Sequence, residues 1–221
     1  MTIYDILDYV CIFLALMVVL TFHEFAHAFA AVKNGDITPQ LNGRYTLNPL
    51  AHFDIGGLIC FVFFKFGWAK PVPVNPNNFI NYKKGCFWVS IAGVLTNYLM
   101  SFLLLPLWLL SLYLPDFGYF TYVLQVTLSY IFSFGLTFFA FNLLPLYPLD
   151  GFRVLDAVLK NKGKVYYFLA NYGVYILYGL IFLGVIADVT NIWQLDILGI
   201  YIRFVTDIIS IPIVRFWGLF F

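Results

Sequence analysis

The chain has 221 residues, 62% of them hydrophobic and 10% charged, with 12 Lys and Arg against 11 Asp and Glu. A soluble domain carries roughly 25% charged residues, so this composition excludes an ordinary water-soluble globule and points to a polytopic membrane protein. Near-zero net charge and the lack of a basic stripe give no pull toward nucleic acid, and Cys11, Cys60 and Cys86 are too scattered for a disulfide framework or a thiolate zinc knuckle.

The first apolar run, 9–32, follows MTIYDILDYV, which has two aspartates and no basic residue, unlike the n-region of a signal peptide; it is expected to stay as a membrane span. Near its end stands TFHEFAHAFAA, residues 21–31. His23 and His27 are four apart, so on a helix both imidazoles face one point. Two such rings suit a tetrahedral zinc ion, and Glu24, rotated about 100° from His23, suits a base acting on a water at that ion. Glu24 is the only glutamate and the chain has three histidines; chance places them in HExxH on the order of once in 10,000 arrangements. Ionisable groups inside a membrane are costly and usually functional. They precede Lys33 by six to ten residues, about 9–15 Å at 1.5 Å per residue, within reach of a cavity open to the cytoplasm.

The stretch 33–86 is rich in Gly, Pro and Asn. IGGLICFVFF, 55–64, is too short to cross and predicts a re-entrant segment. PVPVNPNN, 71–78, alternates Val and Pro as an edge strand does; around 70–76 it predicts a sheet edge on which an unwound substrate chain can pair.

Further spans are predicted over 87–113, 120–147 and 165–187. The run 197–221 is interrupted by Arg203, Asp207, Pro212 and Arg215 and reads as a span or an interfacial helix. Arg203 and Asp207, four apart, can pair on one face. Basic residues cluster in 33–84 and 148–164 and are absent from 114–119 and 188–196. The positive-inside rule then puts the N-terminus outside and the histidine pair toward the cytoplasm.

A catalytic zinc needs a third protein ligand. His52 is the remaining histidine, and Asp36, Asp54, Asp150 and Asp156 face the cytoplasmic half. Asp150 stands out, closing a stretch broken by Pro145 and Pro148 and followed by Gly151; it serves as a ligand or as the N-cap of a helix over 151–160.

HEFAH (23–27) with NLLPLYPLDG (142–151) resembles the site-2 protease family of intramembrane zinc metalloproteases. GRYTLNPLAHFDIGG (43–57), GWAKPVPVNPNNF (67–79) and AGVLTN (92–97) resemble its compact prokaryotic branch; 165–221 match nothing. The resemblance implies one Zn²⁺ per chain held by His23, His27 and Asp150, with Glu24 catalytic. It implies that Asn142 contacts the substrate backbone or a developing oxyanion, and that His52 and Asn97 support the site. The expected architecture is an all-α polytopic membrane protein of four to five transmembrane helices with a small β or re-entrant cytoplasmic-side segment. One catalytic domain fills 1–221, its core about 9–160 and its C-terminal helices 165–221. The substrates implied are transmembrane segments of membrane proteins, cut near the cytoplasmic side of a bacterial inner membrane. Partners are the bilayer and a regulatory membrane protein or a second copy. The alternatives are a metal or proton transporter using the same His/Glu/Asp site, a zinc hydrolase acting on lipid or prenylated peptide, and a non-enzymatic scaffold.

Overall fold

The computed structural model describes residues 2–57, 60 and 67–221. Its elements are α1 (Ile3–Lys33), α2 (Thr38–Leu41), α3 (Tyr82–Ser111), α4 (Tyr119–Asn142), α5 (Asp150–Val158), α6 (Lys164–Thr190) and α7 (Ile197–Trp217). α1, α3, α4, α6 and α7 are long and apolar enough to cross a membrane, so the protein is an all-helical polytopic membrane protein. It divides into two compact units, Met1–Gly135 and Leu136–Phe221, with α4 passing from one into the other.

In the first unit α1 packs on α3. The buried face of α1 includes Cys11, Ala15, Val19, His23, His27 and Ala31, each four residues after the last. The buried face of α3 repeats the same step through Val89, Gly93, Asn97, Ser101 and Leu105. Rows at i, i+4 are the ridges that interlock when two helices cross, and small residues in them bring the backbones close. His27 meets Val89 and His23 meets Asn97, so the two helices run antiparallel.

The chain between these helices returns along α1. Lys70 N–H donates to the His52 carbonyl at 2.9 Å and Ile80 N–H to that of Asn34 at 2.9 Å. Phe79 packs against Ala31 and Val89. The predicted strand over 70–76 does not form. Among the described residues β-pairing is limited to one antiparallel bridge, Phe53 with Ala69. Pro71, Pro73 and Pro76 remove every second or third donor that a ladder needs, and the Val72 and Asn75 N–H groups go to the side chains of Glu24 and Asp36. The predicted re-entrant segment, 55–64, falls mostly on 58–59 and 61–66, which lie outside the described residues.

In the second unit α4 stops at Asn142, earlier than the predicted 147, because the chain turns into the proline-containing loop 143–149, which includes a cis Tyr147–Pro148 bond. Leu146 and Leu149 of this loop pack with Leu177 of α6. A Cβ on Gly173 would stand 2.6 Å from the Tyr147 backbone nitrogen, so glycine lets α6 lie against the loop. Arg203 of α7 does not pair with Asp207; its guanidinium reaches back to Asp196 at 3.4 Å. Asp196 caps α7 through Gly199 N–H and is already fixed there.

Candidate metal and catalytic site

His23, Glu24 and His27 lie in the C-terminal third of α1 and all three are buried. The two Nε2 atoms are 3.1 Å apart. Two ligand atoms on a tetrahedral ion with Zn–N bonds of 2.0–2.1 Å stand about 3.3 Å apart.

Which nitrogens carry protons follows from the partners. His27 Nδ1 lies 2.7 Å from the Val89 carbonyl. A carbonyl only accepts, so that nitrogen holds the proton and Nε2 holds the lone pair. His23 Nδ1 lies 3.0 Å from Asn97 Nδ2. Asn97 is fully buried and its Oδ1 has no partner among the described residues. Turning the amide exchanges its oxygen and nitrogen and sets Oδ1 against a protonated His23 Nδ1, the tautomer a metal-ligating Nε2 requires. In that tautomer both Nε2 atoms, 3.1 Å apart, turn lone pairs to the same point, close to the spacing two imidazoles take on one ion. The donor set therefore fits zinc.

Gly93 makes the room. A Cβ there would stand 2.5 Å from His27 Nε2 and 2.6 Å from His23 Cε1. Only hydrogen at this position lets α3 pass over the imidazole pair.

Glu24 is held from the other side. Val72 N–H donates to Glu24 Oε2 at 3.0 Å. Nearby, the buried Arg44 donates through Nη2 to the Lys70 carbonyl. Burial pushes the Arg44 guanidinium down, and the Glu24 charge opposes that shift. The segment carrying Val72 is tied to the end of α1 by Asp36. This fully buried carboxylate accepts from Thr38 N–H at 3.0 Å, Asn75 N–H at 2.7 Å and Asn78 Nδ2 at 2.8 Å, and from the Thr38 hydroxyl. Burial raises its pKa, but these donors outweigh burial and hold it below its ordinary value.

His52 is fully buried, with Nε2 2.8 Å from the Thr46 carbonyl and Nδ1 without a partner among the described residues. It braces its own loop. In the second unit Asp150 is buried and is the first residue of α5; the N-cap is Leu149, and no side-chain cap hydrogen bond is made. The capping alternative for Asp150 is thus not what the helix uses. Gly151 beside it lies against the Leu143 carbonyl, where a Cβ would collide. Asn142 ends α4 and donates through Nδ2 to the Phe138 carbonyl at 3.1 Å within its own helix.

Arg44, Gly93 and the Val72 amide were not singled out by sequence, and the sequence marks Asp36 only as one of the aspartates of the cytoplasmic half, not as the tie of the segment carrying Val72. Arg44 and Gly93 lie inside stretches already noted, GRYTLNP and AGVLTN, and Gly93 precedes Asn97 by four, the step that shares a helix face. A backbone N–H leaves no mark in a sequence.

No protein-family model matches the chain, and no solved structure matches it. A curated relative from Bacillus subtilis (strain 168), named "Putative zinc metalloprotease YwhC", is 40% identical over 145 residues. The match covers 65% of this chain and 66% of the relative, so the chain spans just under two-thirds of that protein's length. Over that length the chain is similar to a protein named as a zinc metalloprotease.

Proposed function

We propose that this protein is a zinc-dependent intramembrane endopeptidase of the site-2 type, cutting transmembrane segments of membrane-protein substrates near the cytoplasmic side. The observation that carries the reading is the 3.1 Å approach of two imidazole Nε2 atoms whose Nδ1 atoms are engaged, with the buried Glu24 carboxylate next in the chain. The name of the relative supports zinc and peptidase chemistry. The five apolar helices support a membrane setting, and the distribution of basic residues supports a cytoplasm-facing site with the N-terminus outside.

In this reading His23, His27 and Asp150 hold the ion. Bound zinc supplies an acidified water and a polarised carbonyl. Glu24 accepts the proton of the attacking water and hands it to the leaving amine. Val72 N–H occupies Oε2, which leaves Oε1 as the proton-carrying atom. Asn142 donates to the substrate backbone or to the developing oxyanion from the end of α4. Transport of metal or protons draws no support from the relative.

The test uses Glu24→Gln. The variant should keep one zinc per chain and retain bound membrane proteins during purification. Wild-type protein added to those captured proteins should generate new N-termini inside their membrane segments, and the variant should not. Cleavage by the variant, or zinc-dependent ion flux in liposomes without any cleavage, would remove the peptidase reading.

A further inference from the structure

The Val72 N–H that holds Glu24 Oε2 is flanked by Pro71 and Pro73, so it is the only backbone donor between Lys70 and Val74. Two residues before it the chain is gripped from both sides by the loop that follows α2. Lys70 N–H donates to the His52 carbonyl at 2.9 Å, and the Lys70 carbonyl accepts from Arg44 Nη2. The loop is itself fixed. Arg44 N–H donates to the Pro39 carbonyl at 2.8 Å, and His52 Nε2 lies 2.8 Å from the Thr46 carbonyl. The Tyr45 ring stands 5.4 Å from that of Phe25, the residue after Glu24.

The linkage between the two contacts is stiff. From the Lys70 carbonyl to the Val72 nitrogen the chain passes through two planar peptide bonds and Pro71, whose ring locks φ. Only ψ of Pro71 is left to turn. Pro73 in turn restricts Val72 to extended backbone. A carbonyl fixed at Lys70 therefore confines the Val72 N–H to a narrow range of positions. A neutral donor could brace that carbonyl, yet the chain uses a guanidinium that is 5% exposed and whose Nε has no acceptor among the described residues. Burying a cation is costly without an opposing charge. Burial pushes Arg44 down, and the charge that opposes this is Glu24.

We propose that Arg44 is the positioning residue of Glu24: it fixes the Lys70 carbonyl, and the stiff Lys70–Pro71–Val72 linkage then sets the amide that orients the Glu24 carboxylate. The consequence for hydrolysis rests on the peptidase reading, in which Val72 keeps Oε2 and Oε1 carries the proton.

The test uses full-length Arg44→Met in phosphatidylcholine/phosphatidylglycerol vesicles, with one membrane protein captured by Glu24→Gln as substrate. The rate at saturating substrate should fall about 10–100-fold, as it does when a catalytic group is misplaced. Zinc content and the half-saturating substrate concentration should stay as in wild type. Hydrogen-exchange protection should fall several-fold at Val72 and hold at Asn75, which Asp36 secures separately. Pro71→Gly leaves Arg44 in place and frees the linkage. It should show the same pattern, and joining it to Arg44→Met should add little, because both break one path. Wild-type rate or wild-type Val72 protection in Arg44→Met, equal loss of protection at Val72 and Asn75, loss of zinc, or additive losses in the double variant would overturn the inference. Should Arg44→Met fail to insert, Arg44→Lys, which keeps the charge and not the guanidinium fork, takes its place. A several-fold fall in rate and Val72 protection then supports the proposal, and no change overturns it. A wild type that cuts nothing removes the peptidase reading, and protection at Val72 alone then decides whether Arg44 sets that amide.

Discussion

A histidine offers a metal one lone pair, and the partner of its other nitrogen decides which nitrogen that is. Here Val89 decides for His27 and Asn97 for His23. Asn97→Leu removes the acceptor for His23 Nδ1–H while keeping the volume. It should weaken zinc binding by about 10–100-fold, read by chelator competition and by the visible spectrum of the cobalt-substituted protein. Asn97→Asp keeps an oxygen at that place and should recover most of the affinity; equal losses from Leu and Asp would show that only packing matters. Gly93 acts by absence. Gly93→Ala places a Cβ against both rings and should reduce zinc affinity about tenfold and cost about 1–3 kcal/mol of stability through overpacking. Wild-type zinc titration and melting would contradict the close approach of α3.

Among the elements, the segment from Lys70 to Asn78 depends most on polar contacts. The Val72 and Asn75 N–H groups and the Asn78 side-chain amide go to Glu24 and Asp36. Hydrogen bonds to a charged acceptor are worth about 1.5–3 kcal/mol each at most, so Asp36→Asn should loosen the segment by about 2 kcal/mol. Hydrogen exchange at the Val72 and Asn75 amides checks this, with faster exchange expected at both. The pH dependence has a fixed sign. Asp36 is held below its ordinary value in the folded chain. Its contribution is therefore complete above the unfolded carboxylate pKa of about 3.9 and is lost as pH falls through the lowered folded value. Protection at Asn75, taken relative to the intrinsic exchange of the amide at each pH, should fall in that acid window in wild type and stay level in Asp36→Asn; an acid step of equal size in both would assign it elsewhere. The sequence suggested an extended path here and the structure keeps the path, but a ladder needs consecutive donors and the prolines interrupt them.

For the whole molecule, composition carried the architecture. Runs of about 20 apolar residues have few stable choices besides helices in a bilayer, and all five appear as helices. The histidine pair was equally legible, because i, i+4 geometry is a property of one helix and needs no tertiary information. What escaped the sequence depends on how helices and loops meet. Gly93 matters only because α3 crosses α1 above the rings, Val72 only through its backbone, and Arg203 turned to the cap residue Asp196 instead of Asp207. Pattern alone left Asp150 between a ligand and a cap; α5 starts on it with Leu149 as the N-cap, and its place at the ion is a proposal that rests on the resemblance.

We propose that two imidazoles of α1 and the Asp150 carboxylate hold one zinc ion. Zinc K-edge X-ray absorption on the purified full chain, wild type against Asp150→Asn, tests it most directly. The wild type should show one zinc per chain with a nitrogen and oxygen shell at about 2.0–2.2 Å and two imidazoles, and Asp150→Asn should lose most of its metal or change that shell. An unchanged spectrum at full occupancy in Asp150→Asn, or a sulfur-containing shell in the wild type, would contradict the account.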